Sequence, residues 1–442
     1  MSVTQPQDEA SIRELILKLT SRELQPSFSV SDNDQDLMAT GVIDSMGWVG
    51  ILSGIEEATG IRNIGASWPE GRAQSVRALV DAVREELDKI KPQCEQQGLR
   101  SDATRALSVS VAGWGYCLGS RRVDAATVEQ ECGLPAGTMF DRAGIRSVSR
   151  AGEGETELTL GAKAAELALE AAQVEPDEVD VLVATSATSL GFPSLAALLH
   201  TRLLLRESCV AIDVGGACVG AIHALATAKA LLVNARRRSA LVVASEVNSQ
   251  RLCHPGVPGE FRGLFGDGAC AFVLSSLDDS DGKAWRMGDF VSGCSGAFSS
   301  SLQVGLRPTG ELEVDFKGEQ LASAAITTIN QVIGNLEDLT GIGRSEVEYL
   351  ALHEPNPRLA EIVAQRAKIP LERLTRTAET CGNLGSVTCG MNLCKALTHL
   401  QERSEDSRHR IIYVAAVGPG ILWAGTYLFW DSMVRRVAAP TS

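Results

Sequence analysis

The chain predicts an α/β protein, a layered sandwich of strands and helices, preceded by a small bundle of four helices. Three observations predict this. Residues 1–90 show helical periodicity and no strand-like run, residues 91–105 are polar and aperiodic, and beyond residue 106 short β-rich runs alternate with helical stretches.

In the head, Ile12, Leu15, Ile16 and Leu19 share one face of a helix expected over residues 9–20. A polar loop leads to Leu37–Met46, after which Val49, Leu52 and Ile55 again share a helical face, followed by Glu56 and Glu57. A last helix is expected from about Gln74 to Lys89, and these stretches are read as a four-helix bundle over residues 1–90. The segment 91–105 (KPQCEQQGLRSDATR) reads as a linker. Fully extended it reaches at most about 50 Å, enough for the head to approach much of a globular neighbour.

In the body, strands are expected at Leu107–Val111, Val179–Ala184, Cys209–Val214, Ala240–Ala244 and Ala269–Leu274, with helices at Thr159–Gln173 and Val219–Val233. A second set follows: strands near Tyr349–Leu352 and Ile411–Ala416, and helices near Leu321–Leu336, Leu359–Lys368 and Cys389–Leu400. Such alternation calls for helices on both faces of a sheet. The order of elements is similar in the halves 106–280 and 281–442, which suits a duplicated unit, although no sequence identity between them is apparent.

Composition narrows the function. With 44% apolar and 22% charged residues the chain is an ordinary globular one. Residues 1–90 hold eight basic and fifteen acidic side chains, so the head carries −7 of the chain's net −14. An acidic head on a milder body argues against nucleic-acid binding and suits docking onto basic protein surfaces. The eleven cysteines form no Cys-x-x-Cys pair, and Cys209, Cys270, Cys389 and Cys394 sit in apolar runs. They read as buried thiols of a reducing compartment. The N-terminus has no signal-peptide pattern, and the apolar stretch Ile411–Trp430 is broken by Gly418-Pro419-Gly420. The expectation is a cytoplasmic protein with no membrane span. No residue cluster has metal-ligand spacing and no phosphate-binding P-loop occurs, so no metal is expected.

Gly41-Val42-Ile43-Asp44-Ser45-Met46 places a hydroxyl at the start of a helix, directly after an acidic residue. Free N–H groups and the positive dipole end make that position tolerant of a phosphodiester. A serine there is equally an ordinary helix cap. Within an acidic helical domain of this length, the segment resembles the attachment motif of acyl and peptidyl carrier proteins, with Ser45 in the modified position. The resemblance implies a covalent 4'-phosphopantetheine on Ser45 and a phosphopantetheinyl transferase as partner. Met46 replaces the usual Leu, and bulky Trp48 is expected on the face that meets a partner.

The stretch Ala211-Ile212-Asp213-Val214-Gly215-Gly216-Ala217-Cys218-Val219-Gly220 ends a strand and opens a helix through a turn of small residues. A thiol at a helix N-terminus is expected to have a lowered pKa, as an acyl-transfer nucleophile requires. His353 stands just past a strand in Leu352-His353-Glu354-Pro355-Asn356, and Asn383 lies in the Gly-flanked turn Cys381-Gly382-Asn383-Leu384-Gly385. With Asp141–Arg146, Ala184–Thr188, Phe192-Pro193-Ser194, Phe265–Ala269 and Gly418–Gly420, these segments resemble the beta-ketoacyl-acyl carrier protein synthase III family of the thiolase superfamily. They occur in the family's order over residues 106–432.

The resemblance implies a thiolase-type αβαβα sandwich and a catalytic set of Cys218, His353 and Asn383. Cys218 takes an acyl group from an acyl-CoA or acyl-carrier thioester, and a malonyl thioester then loses carbon dioxide and attacks it. Neutral His353 and the Asn383 amide donate hydrogen bonds to the thioester oxygen where negative charge develops. The oxyanion hole combines the Cys218 N–H with a donor from the Gly418–Gly420 turn. Pro419 has no N–H, leaving Gly418 or Gly420, and Gly420 is assigned. Phe192 matches a residue that reaches toward the partner's substrate pocket, implying a homodimer. His223 reads as structural. Glu354, where the family has Gln, is expected to raise the His353 pKa if it points inward. That would favour a rival reading: an acyltransferase using His353 as base toward an alcohol, amine or carrier thiol. A third reading is a non-catalytic subunit that only presents a carrier.

Overall fold

The computed structural model describes residues 9–23, 34–40, 42–43, 45–59, 61, 64, 73–90, 109–189, 191–235, 237–252, 256–276, 284–306, 312–402 and 410–430. The chain divides into two compact units, residues 1–103 and 104–442.

Among its described residues the first unit has three helices, Glu9–Glu23, Ser45–Thr59 and Val76–Ile90. The expected fourth stretch is not among them, and Asp44 and the linker 91–105 lie outside the described residues. Ile12, Ile16, Ile51, Ile55, Leu79 and Val83 form the core. Ser45 opens the second helix. Trp48 corrects the sequence reading: it is buried in this core rather than presented to a partner. Spacing explains it, because Trp48, Ile51, Leu52 and Ile55 lie on one helical stripe.

The second unit contains thirteen strands among its described residues. They are β1 (Ser110–Leu118), β2 (Arg121–Asp124), β3 (Ser147–Arg150), β4 (Val181–Thr185), β5 (Val210–Asp213), β6 (Ser239–Val247) and β7 (Asp267–Ser275). The later ones are β8 (Trp285–Cys294), β9 (Leu302–Leu306), β10 (Leu312–Phe316), β11 (Tyr349–Leu352), β12 (Ile411–Gly418) and β13 (Leu422–Trp430). Nine form one mixed sheet, in the order β11-β12-β13-β8-β1-β7-β6-β4-β5. The sheet repeats itself about its middle: β1, β7, β6 and β4 pair with the same directions as β8, β13, β12 and β11. The halves meet where Ser110 and Val111 pair with Arg286 and Trp285.

Strand alternation sets the layers. Val181 and Val183 face helices Gly220–Ala235 and Ser386–Glu402, which fill the space between the half-sheets. Leu182 and Ala184 face the outer helix Glu157–Ala172. In the second half, Ala351 and Val414 point to the middle layer, whereas Leu350, Leu352 and Tyr413 meet helices Gly318–Thr340 and Pro357–Ala367. The result is helix, sheet, helix, sheet, helix.

Two sheet strands were poorly legible because glycines break their apolar pattern. In β1 a Cβ at Gly113 would lie 2.4 Å from the Ala168 carbonyl oxygen, so the outer helix rests directly on the strand. In β8 a Cβ at Gly288 would lie 2.2 Å from the Tyr427 ring.

Candidate active site

After β5 the chain turns sharply through Gly216 (φ 143°) and Ala217 (φ 45°) before the helix from Gly220. A left-handed backbone at a non-glycine residue is strained, and here it opens the short 3-10 turn Ala217–Val219 that carries Cys218 into the helix start. His223, one turn into that helix, donates from Nδ1 to the Gly215 carbonyl at 3.2 Å and so holds the turn down, a structural role as expected. Gly418, at the end of β12, passes directly over the cysteine: a Cβ there would lie 3.2 Å from the Cys218 Cβ and 3.4 Å from its backbone nitrogen.

His353 follows β11, and its N–H donates to the Ala415 carbonyl at 2.8 Å, prolonging the pairing with β12. The side chain is buried, its Nδ1 has no hydrogen-bond partner among the described residues, and burial pushes its pKa down from 6.5 to about 4. The imidazole is therefore neutral at physiological pH. Asn383 is pinned by its backbone, its N–H donating to Leu264 (2.8 Å) and its carbonyl accepting from Gly266 (3.0 Å). Its Oδ1 accepts from the Gly385 N–H at 2.9 Å. That backbone donor fixes which end of the amide is oxygen, and the NH₂ is left for a ligand.

Two expectations change. Glu354 does not act on His353: its Oε2 accepts from the N–H groups of Thr377 (2.8 Å) and Ala378 (3.0 Å) instead. Cys218 does not have a lowered pKa. Desolvation, with the negative charge of Glu246 adding to it, pushes the thiol up to about 12 and outweighs the helix start. The free site thus holds a thiol and a neutral imidazole.

Glu246, which sequence reasoning missed, sits at the buried end of β6. It accepts from the N–H groups of Ala187 (3.0 Å) and Thr188 (3.1 Å) and from the Ser386 hydroxyl (2.6 Å). It ties the loop after β4 to the helix that follows Asn383. A lone Glu in an apolar strand was the available signal.

Cys218, His353, Asn383, Gly418 and Pro419 line one cavity of about 680 Å³, counting its solvent-open part. Its other walls include Phe261, Phe265, Phe316, Leu321 and Leu359, and among the described residues no charged side chain lines it. Phe316 comes from β10, part of a small hairpin that the sequence did not reveal. Gly420 is not among the lining residues. Neither is Phe192, which is 100% exposed on this chain. Ser45 belongs to the other unit. Among the described residues no His, Cys, Asp or Glu cluster is arranged to hold a metal.

Residues 212–296 match the 3-oxoacyl-[acyl-carrier-protein] synthase III family, and residues 338–430 match its C-terminal region. The beta-ketoacyl-[acyl-carrier-protein] synthase III of Rhizobium meliloti (strain 1021) is 31% identical over 326 residues, covering 72% of this chain and 98% of that protein. The chain belongs to the beta-ketoacyl-[acyl-carrier-protein] synthase III family. A synthase III from Cereibacter sphaeroides is 29% identical over 335 residues, covering 72% and 98%. The synthase III structure from Aquifex aeolicus VF5, 24% identical with a TM-score of 0.64 over 73% of this chain and 99% of that one, shares the thiolase-type fold. The priming beta-ketosynthase of the R1128 polyketide pathway superposes with a TM-score of 0.65 at 25% identity, covering 75% and 98%. As a synthase III, the chain is a condensing enzyme.

Proposed function

We propose that this synthase III joins an uncharged, apolar acyl group to a malonyl-type unit by decarboxylative Claisen condensation, and that its head is its own acyl carrier domain. The observation that carries the chemistry is one apolar cavity bringing together a thiol, a neutral imidazole and an amide NH₂, with the Glu354 carboxylate bonded to the Thr377 and Ala378 backbone rather than to the imidazole.

Cys218 Sγ attacks the acyl thioester carbonyl, the carrier thiol leaves with the proton, and an acyl-cysteine remains. The Cys218 N–H and a backbone donor from the Gly418–Gly420 turn, whose Gly418 lies against Cys218, stabilise the oxyanion. The malonyl carboxylate then departs as carbon dioxide, and its bonding electrons form an enolate whose oxygen accepts from His353 and Asn383. The enolate carbon attacks the acyl carbonyl, the C–S bond to Cys218 breaks, and the released thiolate takes up a proton from water. A neutral imidazole suits this donor role, because it offers a proton in a hydrogen bond without giving it up.

Ser45 fits attachment of a phosphopantetheine, since it opens a helix with no acidic residue in its first turn. The group supplies a flexible thiol arm that carries the acyl chain. A tethered carrier raises the local substrate concentration to millimolar order when its linker is short and flexible. Partners are then a phosphopantetheinyl transferase and acyl-CoA, malonyl or carrier thioesters in the cytoplasm. The fully exposed Phe192 supports a homodimer in which it serves the mate's pocket.

Intact-protein mass spectrometry tests the carrier reading, using the transferase, coenzyme A and acyl thioesters. A pantetheine adduct that survives in Cys218→Ala and vanishes in Ser45→Ala supports it. An unmodified Ser45 overturns it.

A further inference from the structure

Glu354 is buried, lines no part of the cavity, and spends its side chain on the next loop of the site. The N–H groups of Thr377 and Ala378 converge on its Oε2 at 2.8 and 3.0 Å. They open the short helical turn Ala378–Cys381, which runs directly into Gly382 (φ 75°) and Asn383. A second connection runs alongside. Thr377 Oγ1 donates to Asn392 Oδ1 at 2.6 Å, and Asn392 Nδ2 donates to the Leu352 carbonyl at 2.9 Å. The residues on either side of His353, Leu352 and Glu354, are thus both fastened to the turn that carries Asn383. The remaining Glu354 oxygen faces Arg376, whose Nε is 3.8 Å away and whose Nη2 bonds Glu361 at 2.9 Å.

We propose that Glu354 is a positioning residue that sets Asn383 at its working distance from His353, so that both donors reach one thioester oxygen. This rests on the condensation reading above. Cys218 stands on a different element, so acylation of the cysteine does not depend on the clamp, whereas decarboxylation does. Misplacing a reacting group by about 1 Å costs on the order of a hundredfold in rate.

The test compares wild type, Glu354→Gln, Glu354→Asp and Glu354→Ala in the full chain, with folding checked by circular dichroism. Cys218 acylation is followed by intact mass and condensation by carbon dioxide release from malonyl-CoA. Gln keeps an acceptor in place and is expected to stay within about threefold of wild type in both steps. Asp falls short of the two N–H groups and is expected to lose about a hundredfold in condensation while acylating normally. Asp also serves as the test if Ala does not fold. A folded Asp or Ala variant that condenses at the wild-type rate overturns the proposal. So does an equal loss of both steps. Wild type that acylates Cys218 yet releases no carbon dioxide overturns the condensation reading and the proposal with it.

Discussion

His353 and Glu354 are consecutive residues, yet one faces the cavity and the other is bonded to the backbone of Thr377 and Ala378. The alternation of an extended chain separates them. The pairing that would have made His353 a strong base is absent, and burial alone governs its charge.

The pH dependence of stability checks this. His353 titrates near 6.5 unfolded and about 4 folded, so between those values the unfolded chain binds a proton that the folded chain refuses. The stability held by the neutral imidazole is complete above pH 6.5 and falls as pH drops toward 4, by about 3 kcal/mol at most. Melting temperatures of wild type and His353→Asn are expected to diverge on acidification from neutrality, with wild type losing more. Parallel curves would contradict the buried neutral histidine.

Cys218 carries a second pH signature. With the thiol raised to about 12, its thiolate fraction grows about tenfold per unit across the neutral range. Iodoacetamide labelling of Cys218, followed by peptide mass, is expected to accelerate from pH 6 to 9 without a plateau. Levelling near neutrality would reveal a preformed thiolate.

Asn383 separates the half-reactions. Asn383→Ala is expected to acylate Cys218 normally and to lose about 10²–10³-fold in condensation, the usual effect of deleting an oxyanion donor. Asn383→Asp, which can still accept from Gly385, adds negative charge facing the enolate and is expected to be no better. Slowed acylation with intact decarboxylation would reverse the assigned role.

Two glycines predict opposite phenotypes. A Cβ at Gly418 presses on Cys218 at 3.2 Å, so Gly418→Ala is expected to stay folded but acylate at least about tenfold more slowly. A Cβ at Gly266 would lie 1.9 Å from the Cys381 carbonyl oxygen, so Gly266→Ala is expected to cost 1–3 kcal/mol or more in stability. Melting curves and acylation rates on the same preparations decide it.

Much of this site was legible from local signals. The small-residue turn before Cys218, the strand end before His353 and the glycine turn around Asn383 each marked a loop, and the cavity joins all three. What escaped depends on tertiary surroundings. The direction of the Cys218 shift follows from desolvation and from Glu246, which stands on β6, two places in the sheet from the β5 that leads to Cys218. The Glu354 contacts reach 23 residues along the chain, which no spacing rule reports. Trp48 could have been placed from helical spacing alone.

The most direct test of the central claim is the fate of the acyl group once Cys218 has been loaded. Acylated wild-type protein, freed of excess acyl thioester, is mixed with malonyl-CoA, and carbon dioxide and product mass are read together. The account predicts one carbon dioxide per acyl group lost from Cys218 and a product longer by two carbons. An acyl group that leaves Cys218 unextended, with no carbon dioxide released, would contradict it.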